Sequence, residues 1–160
     1  MLKAMKWSAI GLAVILLVAQ FFQPARTNPT SDAATAIHSH VEMAPEVSAI
    51  LSRACYDCHS NATKWPWYSR VAPVSWLVVS DVNDGRRHLN FSEWAAYDRS
   101  KAAKKMQEIG EEVSIKAMPL SSYKLLHPEA RLSDQERALV SDWAKAESKR
   151  LDLAREAARN

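Results

Sequence analysis

The run Ala54-Cys55-Tyr56-Asp57-Cys58-His59-Ser60 holds both cysteines of the chain, three residues apart, with a histidine directly after the second. Cys-x-x-Cys-His is the attachment pattern of c-type haem. On a helix, positions i, i+3 and i+4 share a face. Two thiols at that spacing can add across the vinyl groups at one edge of a porphyrin, while the imidazole of His59 reaches the iron. A disulfide across so short a loop would restrain little of the unfolded chain. A reactive thiol-disulfide pair usually opens a helix, where the dipole lowers a thiol pKa; this pair instead follows the stretch 45–54, whose Val47, Ile50, Leu51 and Ala54 form one helical stripe. No second cysteine pair completes a structural zinc site. The expected cofactor is one covalently attached haem c.

The other axial position decides what such a haem does, because two strong protein ligands favour electron transfer and an open position favours binding of a small molecule. Met118 is the leading candidate. It lies in Ile115-Lys-Ala-Met118-Pro-Leu-Ser-Ser-Tyr123, where Pro119 biases it toward an extended conformation. Its thioether is a soft ligand that raises the reduction potential opposite histidine. His88, in Asp84-Gly-Arg-Arg-His88, and His127, before Pro128, are the rivals. Trp65, Trp67, Tyr68 and Trp76 concentrate aromatic surface after the motif, suited to covering a porphyrin and excluding water. Tyr68 and Arg70 also offer donors for the haem propionates. For Trp76 ordinary core packing is the default.

The elements that must position these residues read as helix throughout. Glycine is scarce, with three residues, and no run alternates cleanly at period two. The fold class is all-α. After the helix at 45–54, a second spans 74–87, and a third starts from Asn90, with Glu93 completing a capping box, and runs to about Val113. Ser133 and Glu136 form another capping box for a last helix carrying Leu139, Val140 and Trp143. Its first half is expected to cross the helix before Cys55, and its final turns to be exposed.

Ahead of the domain, Lys3 and Lys6 precede a sixteen-residue apolar run, Trp7 to Phe22. That length falls between a signal-peptide core and a full crossing of about twenty residues. Phe21, Phe22, Gln23 and Pro24 make a poor cleavage site, which favours a retained anchor over a removed signal. Either way the lysines favour a cytoplasmic N-terminus and a domain on the far side of the membrane. The organisation expected is a membrane anchor or signal segment at 1–25, a flexible linker at 26–43, a haem-binding domain at 44–145 and a polar helical extension at 146–160. His38 and His40, in the linker, read as an exposed pair.

The net charge of +3 is carried by Lys3, Lys6 and Arg26, leaving eighteen basic and eighteen acidic side chains after them. Nucleic acid is therefore not an expected partner. A local basic excess between Arg86 and Lys105 reads as a solvated helix face in preference to a docking patch.

Several stretches taken together resemble the bacterial small haem-binding domain family, a cytochrome c-like group: Cys-Tyr-Asp-Cys-His-Ser-Asn at 55–61, Trp-Pro-Trp-Tyr-Ser at 65–69, Ala-Pro-Val-Ser-Trp-Leu at 72–77, His-Leu-Asn-Phe-Ser-Glu-Trp at 88–94, Met-Pro-Leu-Ser-Ser-Tyr at 118–123 and Leu-His-Pro-Glu-Ala at 126–130. The resemblance implies a c-type haem in a cytochrome c-like helical domain, with Met118 as axial partner to His59. The expected function is a periplasmic one-electron carrier at the bacterial inner membrane, meeting redox proteins as partners, and not an enzyme. The alternative is a sensor or peroxidase-like protein with a labile or open sixth position.

Overall fold

Helix supplies every regular element among the described residues, which in this computed structural model are 1–157. In chain order the α-helices are α1 (Leu2–Ala19), α2 (Pro45–Ala54), α3 (Tyr56–His59), α4 (Val74–His88), α5 (Arg99–Ser114), α6 (Ser121–Leu126) and α7 (Asp134–Ala157). Short 3-10 turns join them.

The frame is an antiparallel pair, α5 against α7. Ser141 Oγ donates to the Gly110 carbonyl (3.0 Å), Ser148 Oγ to that of Ala103 (2.9 Å), and Arg99 to that of Ala154 (3.2 Å). Gly110 permits the close approach: a Cβ there would stand 3.3 Å from the Ser141 carbonyl oxygen. α2 lies across the first half of α7, and Val47, Ile50 and Leu51 share one core with Met106, Ile109, Val113, Val140 and Ala144. Terminal and motif-bearing helices thus cross as the sequence leads one to expect. The turns of α7 beyond Lys145 stay attached to α5 through Ser148 and Ala154, where exposure is expected.

Two expectations need correcting. Asn90 does cap a helix, its side chain accepting from the Ser92 amide (3.0 Å), but that helix is a 3-10 turn, Phe91–Ala96, in which Glu93 leaves helical dihedrals (φ −119°, ψ 31°). Glu93 makes no capping box there; its carboxylate accepts from Asn61 Nδ2 (3.1 Å). The longer helix starts afresh at Arg99, capped by Asp98 through the Lys101 amide (2.8 Å).

The stretch 26–43, read as a flexible tether, is built into the domain. Ile37 is fully buried and Val41 nearly so, both in the main core. Arg86 ties its start down, donating to the Thr27 carbonyl (2.8 Å), Asn28 Oδ1 (3.0 Å) and Thr63 Oγ1 (2.8 Å). The apolar side chains in a run without helical period were the signal. His38 and His40 are exposed, as expected. His38 Nε2 meets the Tyr56 hydroxyl (2.7 Å) and His40 Nε2 donates to the Ala34 carbonyl (2.9 Å).

At the N-terminus α1 forms, with most of its apolar side chains exposed. Among the described residues no helix is long and apolar enough to cross a membrane. The end of α1 is fixed to the domain: the Gln20 side chain accepts from the Ala72 amide (3.0 Å) and donates to its carbonyl (3.2 Å).

Candidate functional site

α2 ends by delivering Cys55, and the single turn α3 carries Cys58 and His59 onto the flank of α4. Both cysteines are free thiols and half-buried. Withdrawal from water pushes each thiol up to about 12. This is opposite to the depressed pKa of a redox-active thiol and weighs against thiol-disulfide chemistry.

His59 is oriented from behind. Its Nδ1 lies 3.1 Å from the carbonyl oxygens of both Gly85 and Leu89. Carbonyls only accept, so Nδ1 carries the proton and Nε2 is left with its lone pair facing away from α4. Burial also holds the His59 pKa below its ordinary value, which keeps the imidazole neutral. A ring with one nitrogen donating to backbone and the other bare is the arrangement a metal-ligating histidine requires.

The close fit of α4 depends on Gly85, where a Cβ would come within 2.5 Å of the Cys58 carbonyl oxygen. A polar cluster then sets the Leu89 carbonyl. Asn90 Nδ2 donates to Asn61 Oδ1 (2.8 Å), the Asn61 amide to Ser92 Oγ (3.0 Å), and the Asn90 amide to the Tyr97 hydroxyl (2.9 Å). Asn61, Asn90 and Ser92 are buried. Sequence reasoning about individual residues missed them as positioning groups; the available signal was a run of amide and hydroxyl side chains directly after both the motif and α4.

On the other side, the 115–130 segment is clasped to the motif. Tyr123 donates to Asp57 Oδ2 (2.8 Å) and stacks on His127 at a centroid distance of 4.1 Å. His127 is engaged at both nitrogens, by the Tyr68 hydroxyl at Nε2 (2.6 Å) and by Glu129 at Nδ1 (2.8 Å). His88 is exposed at the end of α4 and donates from Nδ1 to the Asp84 carbonyl (2.8 Å). Both are thus occupied, and His88 belongs to the helix that already holds the Nδ1 side of His59. Met118 is half-buried in the loop between α5 and α6. Its amide donates to the Glu112 carbonyl (3.1 Å), and its own carbonyl accepts from the buried Arg137 (3.2 Å).

The aromatic candidates divide. Tyr68 is drawn into the His127 pair and so to the clasp. Trp65 is half-buried and donates to Asn28 Oδ1 (3.1 Å). Trp67 is exposed and meets the Tyr68 ring edge-on. Arg70 is exposed. Trp76, expected in the core, is 43% exposed, and its indole donates to the Phe22 carbonyl (2.8 Å) just beyond α1. The start of α4 lies against the chain leaving α1, so its outward positions have no core to enter.

The basic excess at 86–105 is largely consumed within the fold. Arg86 ties down the 27–28 and 60–63 segments, Arg87 pairs with Asp84, and Lys105 pairs with Glu108 (2.6 Å). Lys101 lies over the Tyr97 ring and Arg99 bonds to α7.

A family model describing a haem-binding domain matches residues 14–146. The chain belongs to the haem-binding domain family. No curated protein and no solved structure matches it. The residues of this haem-binding domain fit the group: a neutral imidazole with Nε2 bare, two free thiols on the adjoining turn, and a glycine that lets α4 close behind them. Among the described residues no cluster of three or more histidine, cysteine or carboxylate side chains stands ready for a bare metal ion.

Proposed function

We propose that this haem-binding domain holds one haem c through thioethers to Cys55 and Cys58, with His59 and Met118 as axial ligands, and that it carries single electrons between redox proteins on the periplasmic face of the bacterial inner membrane. The observation that carries the reading is the double acceptance of the His59 Nδ1 proton by Gly85 and Leu89. It fixes tautomer and ring plane before any group is bound, as rapid electron exchange with little rearrangement demands.

When bound, the haem supplies one exchangeable electron through the ferric and ferrous states of its iron. The chain's own residues hold the ends of the site still. α4 fixes His59 from behind, while Arg137 and the Glu112 carbonyl fix the Met118 backbone. The Tyr123–Asp57 bond keeps the Met118 side of the molecule attached to the attachment turn. Phe91, buried and edge-on to His59 at a centroid distance of 6.2 Å, screens the imidazole from water.

The Tyr68–His127–Glu129 chain favours a second reading, in which Met118 yields its place and these residues move a proton at a bound peroxide or other small molecule. One set of spectra separates the two. The oxidised protein is expected to show the weak far-red band of sulfur ligation, lost in Met118→Ala and kept in His88→Ala and His127→Ala. Rapid carbon monoxide binding by the reduced parent protein would overturn the carrier reading in favour of the second. Haem that extracts into acidified organic solvent would overturn covalent attachment.

A further inference from the structure

At the junction of α1 with the domain, exposed apolar side chains gather: Phe21 (87% exposed), Phe22 (69%), Val71, Val74, Trp76 and Leu77 (66%). Val71, Val74 and Leu77 follow each other at helical spacing along the entry to α4. Phe21 and Phe22 are brought beside them by the Trp76–Phe22 and Gln20–Ala72 hydrogen bonds. Arg26, whose guanidinium donates to the Ser69 carbonyl (3.0 Å), and the exposed Arg70 stand at the border. We infer that this face rests in the headgroup layer of an anionic phospholipid bilayer, so that α1 and the domain bind the membrane as one rigid unit. The inference rests on the membrane reading proposed above and adds the surface and the orientation.

The exposed apolar surface of α1 beside this face supports lipid as the occupant. The apolar part of α1, from Trp7 to its end at Ala19, is about 20 Å long, short of a hydrocarbon core of about 30 Å, which places α1 along the interface and not across the bilayer. Lys3 and Lys6, at the start of α1, can extend to phosphates. The face adjoins the end of α1 through the Gln20–Ala72 and Trp76–Phe22 hydrogen bonds, and its composition, tryptophan and phenylalanine bordered by arginine, is that of a membrane interface. A protein partner would have to share this surface with the lipid around α1.

The test uses the full haem-loaded chain on vesicles of phosphatidylcholine with phosphatidylglycerol. Flotation reports binding, and backbone hydrogen exchange over residues 66–78 reports contact of the face. The parent is expected to float and to exchange several-fold more slowly over 66–78 on vesicles than in detergent-free nanodiscs of phosphatidylcholine alone. Val71→Glu combined with Leu77→Glu is expected to float still, through α1, with that protection lost. Flotation with protection confined to residues 1–22 in the parent would overturn the inference and leave the membrane reading standing. Failure of the parent to float would overturn the membrane reading itself. An unchanged haem spectrum in the double variant shows that the domain has folded.

Discussion

Gly85 shows how much of the site is carried by residues without functional side chains. It sits inside α4, where helix propensity alone would make alanine the better residue by about 1 kcal/mol. Its Cα, however, faces the Cys58 carbonyl at a distance that leaves no room for a methyl group. Gly85→Ala is therefore expected to destabilise the haem-loaded protein, by about 1–3 kcal/mol as α4 is pushed off the attachment turn. Urea unfolding measures it, and a gain in stability would show that α4 does not seat against Cys58 as described. The same scale explains what could be read in advance. Cys55, Cys58 and His59 are legible because their chemistry is written in local spacing. Gly85, Leu89, Asn61 and Asn90 were not, because they act through backbone carbonyls and amide networks between segments about thirty residues apart. Met118 was legible as a loop methionine before proline, but the ties that hold it, Glu112 and Arg137, come from α5 and α7.

Helix ends were readable wherever the capping groups lie within a few residues and nothing else competes for them. At Ser133 and Glu136 the box forms in both directions: the Ser133 amide donates to Glu136 Oε2 (2.8 Å), and the Glu136 amide to Ser133 Oγ (3.2 Å). Asn90 and Glu93 present the same pattern, yet Asn61 claims Glu93 and Tyr97 claims the Asn90 amide, so the helix breaks. Tertiary partners overrode a local signal. Asp98 tests this division. In one continuous helix it would be a surface residue whose replacement by alanine gains a few tenths of a kcal/mol. As the cap of α5, Asp98→Ala is expected to cost about 1 kcal/mol, seen as a lower midpoint of thermal unfolding.

Across the whole molecule, α7 is the helix that couples the parts: Val140 and Ala144 share the core with α2 and α5, and charge at its first turn adds ties to neighbouring segments. Glu136 pairs with Arg53, two residues before Cys55, and Asp134 pairs with Lys116 (2.9 Å), beside the Met118 loop. The Ser133 amide, first, and then the Ser133 hydroxyl and Arg53 hold the Glu136 carboxyl below its ordinary 4.5; Lys116 does the same for Asp134 below 3.8. With folded pKa values depressed, the native state binds fewer protons than the unfolded chain as pH falls through these ranges. The stability these groups contribute is fully present above the ordinary values and is lost as pH drops through the depressed ones. Acid should therefore loosen the start of α7 from α2 and from the 115–118 loop. Glu136→Gln is expected to be less stable than the parent at neutral pH, because Arg53 loses its anion, and to lose less on acidification from pH 5 toward the depressed range. Urea midpoints measured across that interval decide it: parallel acid slopes in parent and variant would mean that the α7 corner does not govern acid unfolding.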